Sequence, residues 1–281
     1  MVFRYGCIQE RVPLPIIIGE RVLQNSIDQG NKARELKSML LPTILAEDEY
    51  IRVGSKGDGG YILAKSVLKN AKYLISGGIE DNNDFELQIA NNGIPGVQFD
   101  NSIDSPPKSH DLLTFQRATL GGNGGLSLHQ ILEGVDEGEN IILKLDIEGS
   151  EYDFLSNIKS FESYSALVVE LHNLNRIVND DFYIKLKDIL LIINTELVPV
   201  NLNANNCCGF SNIGGVAIPR VLEVTWISKK YLPLLQINQS ARKLSNLNRP
   251  NISNRAPIDM NRFFNSCLIR KSVNYFRRLF A

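Results

Sequence analysis

The sequence predicts an α/β fold, a mainly parallel sheet with helices on both faces. Short apolar runs such as "KYLISGG" and "NIILKLDI" alternate with segments of helical period. Several runs are apolar at nearly every position, as strands covered on both faces are. The runs also end in glycine, carboxylate, histidine or asparagine. That collects chemistry-bearing side chains at the carboxyl edge of the sheet, where ligands of such folds sit.

The elements follow in order. Residues 1–30 carry no clear period, and "IIIGERVLQNS" fits a strand or a short helix. In "NKARELKSMLL" (31–41), Leu36, Met39 and Leu40 fall at i, i+3, i+4, and Pro42 limits the helix. "YIRVGSKGDGGYILA" (50–64) reads as two short strands around a glycine-rich turn. Then come a strand "KYLISGG", a helix "NDFELQIANNG" stopped at Asn91, Asn92 and Gly93, and strands "GVQFD" and "TFQRATLG". A short helix "LSLHQILEG" precedes the strand "NIILKLDI", the helix "SEYDFLSNI" and the strand "SALVVELH". In "DDFYIKLKDILLIINTE", Phe182, Leu186, Ile189, Leu190 and Ile193 share one face of a long helix. Strands "LVPVNLNANN" and "RVLEVTWISKKY" close the series.

With 281 residues and 43% hydrophobic content, the chain buries a substantial core. A net charge of -1 gives no general pull toward nucleic acid, and no nucleic-acid partner is expected. No signal peptide, membrane-length apolar run or internal repeat is evident. The four cysteines are scattered apart from the adjacent Cys207 and Cys208, a pattern of neither a disulfide framework nor a zinc finger. A reducing, cytoplasmic compartment is the expectation.

Two glycines end the first strand of the alternating series, and an acidic residue ends the next. Ser76, Gly77 and Gly78 would let a ligand approach the backbone, and Asp100 would accept hydrogen bonds from ribose hydroxyls. Glu80 and Asp81 in the same loop would repel a pyrophosphate but suit a cation, which favours S-adenosylmethionine over a nicotinamide dinucleotide. A plain strand-to-helix turn remains the alternative. At the later strand ends, Asp146, His172 and Glu170 are the candidate catalytic residues. Asp146, Glu170, His172 and Asn205 are candidate ligands for Mg²⁺ or Mn²⁺, though no close-spaced ligand motif exists. Asn206 is a further candidate for holding a substrate hydroxyl or a metal. Plainer readings stay open: Asp146 as a helix cap, Glu148 and Glu151 as complements to a helix dipole, Glu170 as partner of Lys144, His172 as a surface histidine, and "NANNCCG" as a turn.

"RVGSKGDGGYIL", "LISGGIEDNNDFE", "VQFDNSID", "LKLDIEGSEYDFL" and "VVELH" resemble, in order and spacing, the blocks of the FkbM-type S-adenosylmethionine-dependent methyltransferases. The resemblance covers about residues 50–230. It implies a class I methyltransferase fold, Rossmann-like and seven-stranded, with the seventh strand antiparallel to the rest. It implies methyl transfer to oxygen, on the hydroxyl of a sugar or glycan acceptor. It places Asp146 at the cofactor beside Ser76, Gly77, Gly78 and Asp100. The family's first block is D-x-G-A-x-x-G, and this sequence has Ser76-Gly77-Gly78-Ile79 instead. Two other functions remain as alternatives: a methyltransferase-like binding module without turnover in a glycan-assembly complex, and a nicotinamide-dependent oxidoreductase.

The expected organisation is an N-terminal extension (1–45), a methyltransferase domain (46–235) and a basic tail (236–281). Residues 240–281 hold nine basic side chains against one acid, Asp259. Within 260–281, Phe264, Leu268, Ile269, Val273, Phe276, Leu279 and Phe280 recur at i+3/i+4 with Arg and Lys between them. This reads as an amphipathic helix for peripheral membrane or protein docking, or as a last helix packed on the domain.

Overall fold

The computed structural model describes residues 14–122, 124–132, 140–237 and 244–264, with the backbone alone for 14–23. Seven strands form one sheet: β3 (Tyr73–Gly77), β4 (Gly96–Phe99), β5 (Leu113–Gln116), β6 (Ile141–Leu145), β7 (Tyr164–Leu171), β8 (Leu197–Ala204) and β11 (Leu222–Ser228). Their order is β5-β4-β3-β6-β7-β11-β8. β3 pairs in parallel with β4 and β6, β4 with β5, and β6 with β7, while β11 runs antiparallel to both β7 and β8. The chain therefore winds outward from β3 toward β5, then restarts at β6 and winds the other way.

The period of two along the strands divides the core. Ile141, Leu143 and Leu145 of β6, with Leu167, Val169 and Leu171 of β7, face one cluster that includes Trp226 and Phe161. That face is covered by α1 (Leu14–Met39), α5 (Glu151–Leu155) and α6 (Asp180–Glu196). Ile142, Ala166 and Val168 face the other cluster, beneath α2 (Lys65–Asn70), α3 (Asp84–Asn91) and the hairpin β1 (Tyr50–Gly54)–β2 (Gly60–Ala64). α6 begins where the Asn179 side chain accepts a hydrogen bond from the Phe182 amide at 2.9 Å. It buries the stripe Phe182, Leu186, Ile189, Leu190 and Ile193 read from the sequence.

Two regions differ from the sequence reading. Residues 14–39 form one helix of 26 residues, not a strand or short helix followed by a separate one. Tertiary contact explains it: Ala33, Leu36 and Leu40 are buried in the main cluster, and α1 packs on α6. The second is a hairpin, β9 (Phe210–Ile213) and β10 (Val216–Pro219), which the sequence reading passed over. Gly214 and Gly215 both have positive φ between Ile213 and Val216, so the Gly-Gly signal for a tight turn was present. A Cβ on Gly30 would lie 2.6 Å from the Gly214 carbonyl oxygen, so this turn abuts α1.

A short helix, α4 (Leu128–Leu132), lies on the β5–β6 connection; among the described residues of the tail, α7 (Asn261–Phe264) is the one α-helix. Phe263 is buried in the main cluster and Phe264 packs against it. The remainder of the expected amphipathic helix, 265–281, lies outside the described residues. Among the described residues, no helix is long and apolar enough to cross a membrane.

Candidate functional site

The carboxyl ends of β3, β6, β7 and β8 open on a cleft of about 330 Å³. Gly78, Lys144, Asp146, Glu170, His172 and Asn205 line it at the strand ends, and Glu80, Asp81 and Glu148 line it from loops. Asp58 and the backbone turn at Gly59 enter from the β1–β2 hairpin. Asn251 and Ile252 enter from the segment after residue 244. Carboxylates outnumber cations in this wall, so the cleft favours a positively charged occupant.

On the β6/β7 side Asp146, Glu170 and His172 are each held by one atom. The Tyr61 hydroxyl donates to Asp146 Oδ2 at 2.7 Å. Asn205 Nδ2 donates to Glu170 Oε1 at 2.7 Å, and Asn205 Oδ1 accepts from the Cys207 amide at 2.9 Å. His172 Nδ1 lies 2.7 Å from Glu151 Oε1, which also accepts from the amides of Ile147 (3.3 Å) and Gly149 (3.1 Å). An acceptor so engaged makes Nδ1 the donor and turns Nε2 to the cleft. There Nε2 stands 3.4 Å from Glu148 Oε2 and 3.7 Å from Glu170 Oε2. Glu170 and His172 point to the same face, as their i, i+2 spacing on β7 required.

The electrostatics follow. Burial pushes the His172 imidazole down, but Glu151, then Asp146 and Glu148, more than offset it and raise it to about 9. Burial, then the charges of Asp146 and Glu223, holds the Glu170 carboxyl well above the usual range and favours its protonated form. Glu223, opposite Glu170 on β11, is pushed up to about 7 by burial against donors from Asn203 and Asn251. The Tyr61 phenol is held well above its ordinary value by burial and Asp146, which keeps it a donor.

The β3/β4 side is different. Asp100 Oδ2 accepts from the amides of Ile79 and Glu80, each at 2.9 Å, and Oδ1 accepts from the Ser102 amide (2.7 Å) and hydroxyl (2.6 Å). A carboxylate has about four acceptor sites, so all are engaged. Asp100 does not line the cleft, and the expectation that it holds ribose hydroxyls is corrected: it closes the β3–α3 loop. Burial raises its carboxyl, but the Ser102 and loop donors outweigh that and leave it below the ordinary value.

Ser76 is likewise corrected from cofactor contact to framework. It is fully buried, and its hydroxyl donates to Glu86 Oε1 at 2.5 Å. A Cβ on Gly77 would meet Leu120 Cδ1 at 2.5 Å, and one on Gly78, at φ +79°, would lie 1.6 Å from the Asp146 carbonyl oxygen. These glycines are required by the protein's own close packing; only Gly78 reaches the cleft wall. Lys144 Nζ donates to the Gly78 carbonyl and faces Glu86 Oε1 at 3.5 Å. It therefore pairs with Glu86, and Glu170 is not its partner.

Other plain readings fail as well. Asp146 does not cap α5, whose preceding residue is Ser150. Glu151 is more than a dipole complement: it is fully buried and orients His172. The sequence reading missed that role, and the signal was its place three residues after Glu148 at the head of a helix. Asn205 lines the cleft with its amide braced by Glu170 and the Cys207 amide. Asn206 is not a substrate or metal contact: it clamps the 252–256 segment through Ile252 N (2.8 Å), Ile252 O (2.9 Å) and Arg255 O (3.2 Å). Cys207 and Cys208 form a disulfide between neighbouring residues at the cleft wall, where the sequence pattern suggested neither a disulfide framework nor a zinc finger. No protein-family model matches the chain, and no curated protein is significantly similar to it.

Proposed function

We propose that the protein is an S-adenosylmethionine-dependent O-methyltransferase of the FkbM type, acting on a hydroxyl of a sugar or glycan. The sheet order carries the reading: a restart between β3 and β6, with a single reversed strand, β11, inserted next to the edge strand β8. This is the arrangement that the sequence resemblance implies, and the acidic cleft lies at its ligand edge.

The cleft carboxylates suit a sulfonium and an ammonium, with Asp146, Glu80 and Asp81 the residues to hold them. Asp100 does not suit a ribose, because its acceptor sites are taken. When bound, the cofactor supplies an electrophilic methyl group. The chain's task is to hold an acceptor hydroxyl in line and take its proton. Asp146 is the base, fixed through Oδ2 by Tyr61. His172, held near an imidazolium by Glu151, donates from Nε2 and orients the acceptor. Glu170, braced by Asn205, donates or accepts beside it. A cytoplasmic location is part of this proposal. Docking to a membrane surface or a protein partner is assigned to the basic tail.

Calorimetry on the full chain tests the reading, using S-adenosylhomocysteine and NAD in parallel. Binding of the first and not the second is expected; no binding of S-adenosylhomocysteine overturns it. Turnover on neutral sugar acceptors then separates the enzyme from a binding module of the same fold.

A further inference from the structure

We infer that Asp146, Glu148 and the Nε2 atom of His172 form a binding site for one divalent metal ion, with Glu151 orienting the histidine.

The three donor atoms come from two strand ends and one loop, and they lie within 4.8 Å of one another. Ligands about 2.1 Å from a common ion lie at most about 4.2 Å apart, so a small shift of the exposed Glu148 side chain completes the set. His172 is 8% exposed, and among the described residues its Nε2 makes no hydrogen bond. The nearest polar atoms to it are the carboxyl oxygens of Glu148 at 3.4 Å and Glu170 at 3.7 Å. In the free protein a proton on Nε2 faces these oxygens, and a divalent ion binds by taking the place of that proton among the same donor atoms. The Nδ1–H bond to Glu151 selects the tautomer that leaves Nε2 free, as the second carboxylate of a carboxylate–histidine–metal arrangement does. Glu151 is itself fixed by two backbone amides, so the carboxylate that orients the ring is held in place.

The set differs from the one the sequence suggested. Glu148 replaces Asn205, whose side chain is engaged elsewhere, and Glu170 stands behind the ligands at 3.7 Å from Nε2. Glu148 reaches the site because its backbone takes a positive φ of +53° just before Gly149. One imidazole and two carboxylates suit Mn²⁺ and its first-row neighbours better than Ca²⁺. Three protein ligands leave positions open to the cleft for oxygen atoms of water or of a hydroxyl-bearing acceptor.

The inference does not rest on the methyltransferase reading, since ion binding is measured without cofactor or acceptor. The full chain, freed of metal by a chelator, is titrated with Mn²⁺ alone and free Mn²⁺ is followed by electron paramagnetic resonance. One ion per chain is expected. Glu148 is 74% exposed at its side chain, so Glu148→Gln keeps the fold; it should weaken binding at least about tenfold. His172→Ala should do the same. No uptake at Mn²⁺ concentrations on the order of 1 mM overturns the inference. So does equal loss in Asp81→Asn, a cleft residue outside the ligand set, because the ion would then be held by the general field only.

Discussion

The two halves of the cleft rim start from the same sequence signal and end differently. On the β3/β4 half, Gly77, Gly78 and Asp100 look like a ligand loop, yet their glycines and acceptor sites are taken up by the protein itself. On the β6/β7 half, Asp146, Glu170 and His172 are each tied by one atom and leave the other toward the cleft. The difference teaches that a polar residue at a strand end is a site candidate only in proportion to the hydrogen-bonding capacity its neighbours leave free.

The largest effect expected from breaking this comparison is at Gly78. Gly78→Ala puts a methyl against the Asp146 carbonyl at positive φ, and should cost at least about 3 kcal/mol in urea unfolding. A loss under 1 kcal/mol, on the order of ordinary surface changes, would mean that the two halves are not locked together there.

Asp100 and Asp146 should then separate stability from function. Asp100→Asn replaces an acceptor by a donor facing donors, and should cost about 1.5–3 kcal/mol of stability. Its S-adenosylhomocysteine affinity per folded molecule should stay unchanged. Asp146→Asn should behave the other way, reducing turnover at least about tenfold with little change in thermal midpoint. Weakened cofactor binding in folded Asp100→Asn would return that residue to the site.

The halves should also differ in pH response. The Asp100 carboxyl lies below its ordinary 3.8, so its contribution is present above that value and is lost as the pH falls through the folded value. Glu223 is raised from 4.5 to about 7, so its contribution is full below 4.5 and is lost as the pH rises through about 7. Chemical unfolding between pH 3 and 9 should show that Glu223→Gln flattens only the alkaline fall and Asp100→Asn only the acid one. Identical profiles in both variants would contradict the assignment.

The smallest effect on the cleft should come from the tail. Phe263 is buried, so truncation belongs after Phe264 rather than at 260. Removing 265–281 should leave the thermal midpoint and S-adenosylhomocysteine binding unchanged while abolishing sedimentation with anionic vesicles at low salt. If the full chain never sediments, the membrane-docking proposal is wrong.

Local pattern was enough for most elements. The α6 stripe, the β6 and β7 runs and the glycine-rich hairpin at 50–64 were legible because burial imposes a period on the residues themselves. The α1 helix from Leu14 and the β9–β10 hairpin were not read, since the helix is fixed by packing and the hairpin signal is only two glycines long. At the site, the sequence by itself determined which side chains reach the sheet edge, because strand termination is local. It could not determine their roles. Whether a carboxylate meets donors of another loop, as Asp100 meets the amides of Ile79 and Glu80, or another acid, as Asp146 and Glu170 do, depends on residues far away along the chain. Tyr61 reaching Asp146, and Glu151 reaching His172, are decided only when β2 and α5 dock on the sheet. Hydrogen-bond capacity is shared out in three dimensions, and only the tertiary structure shows what remains for a ligand.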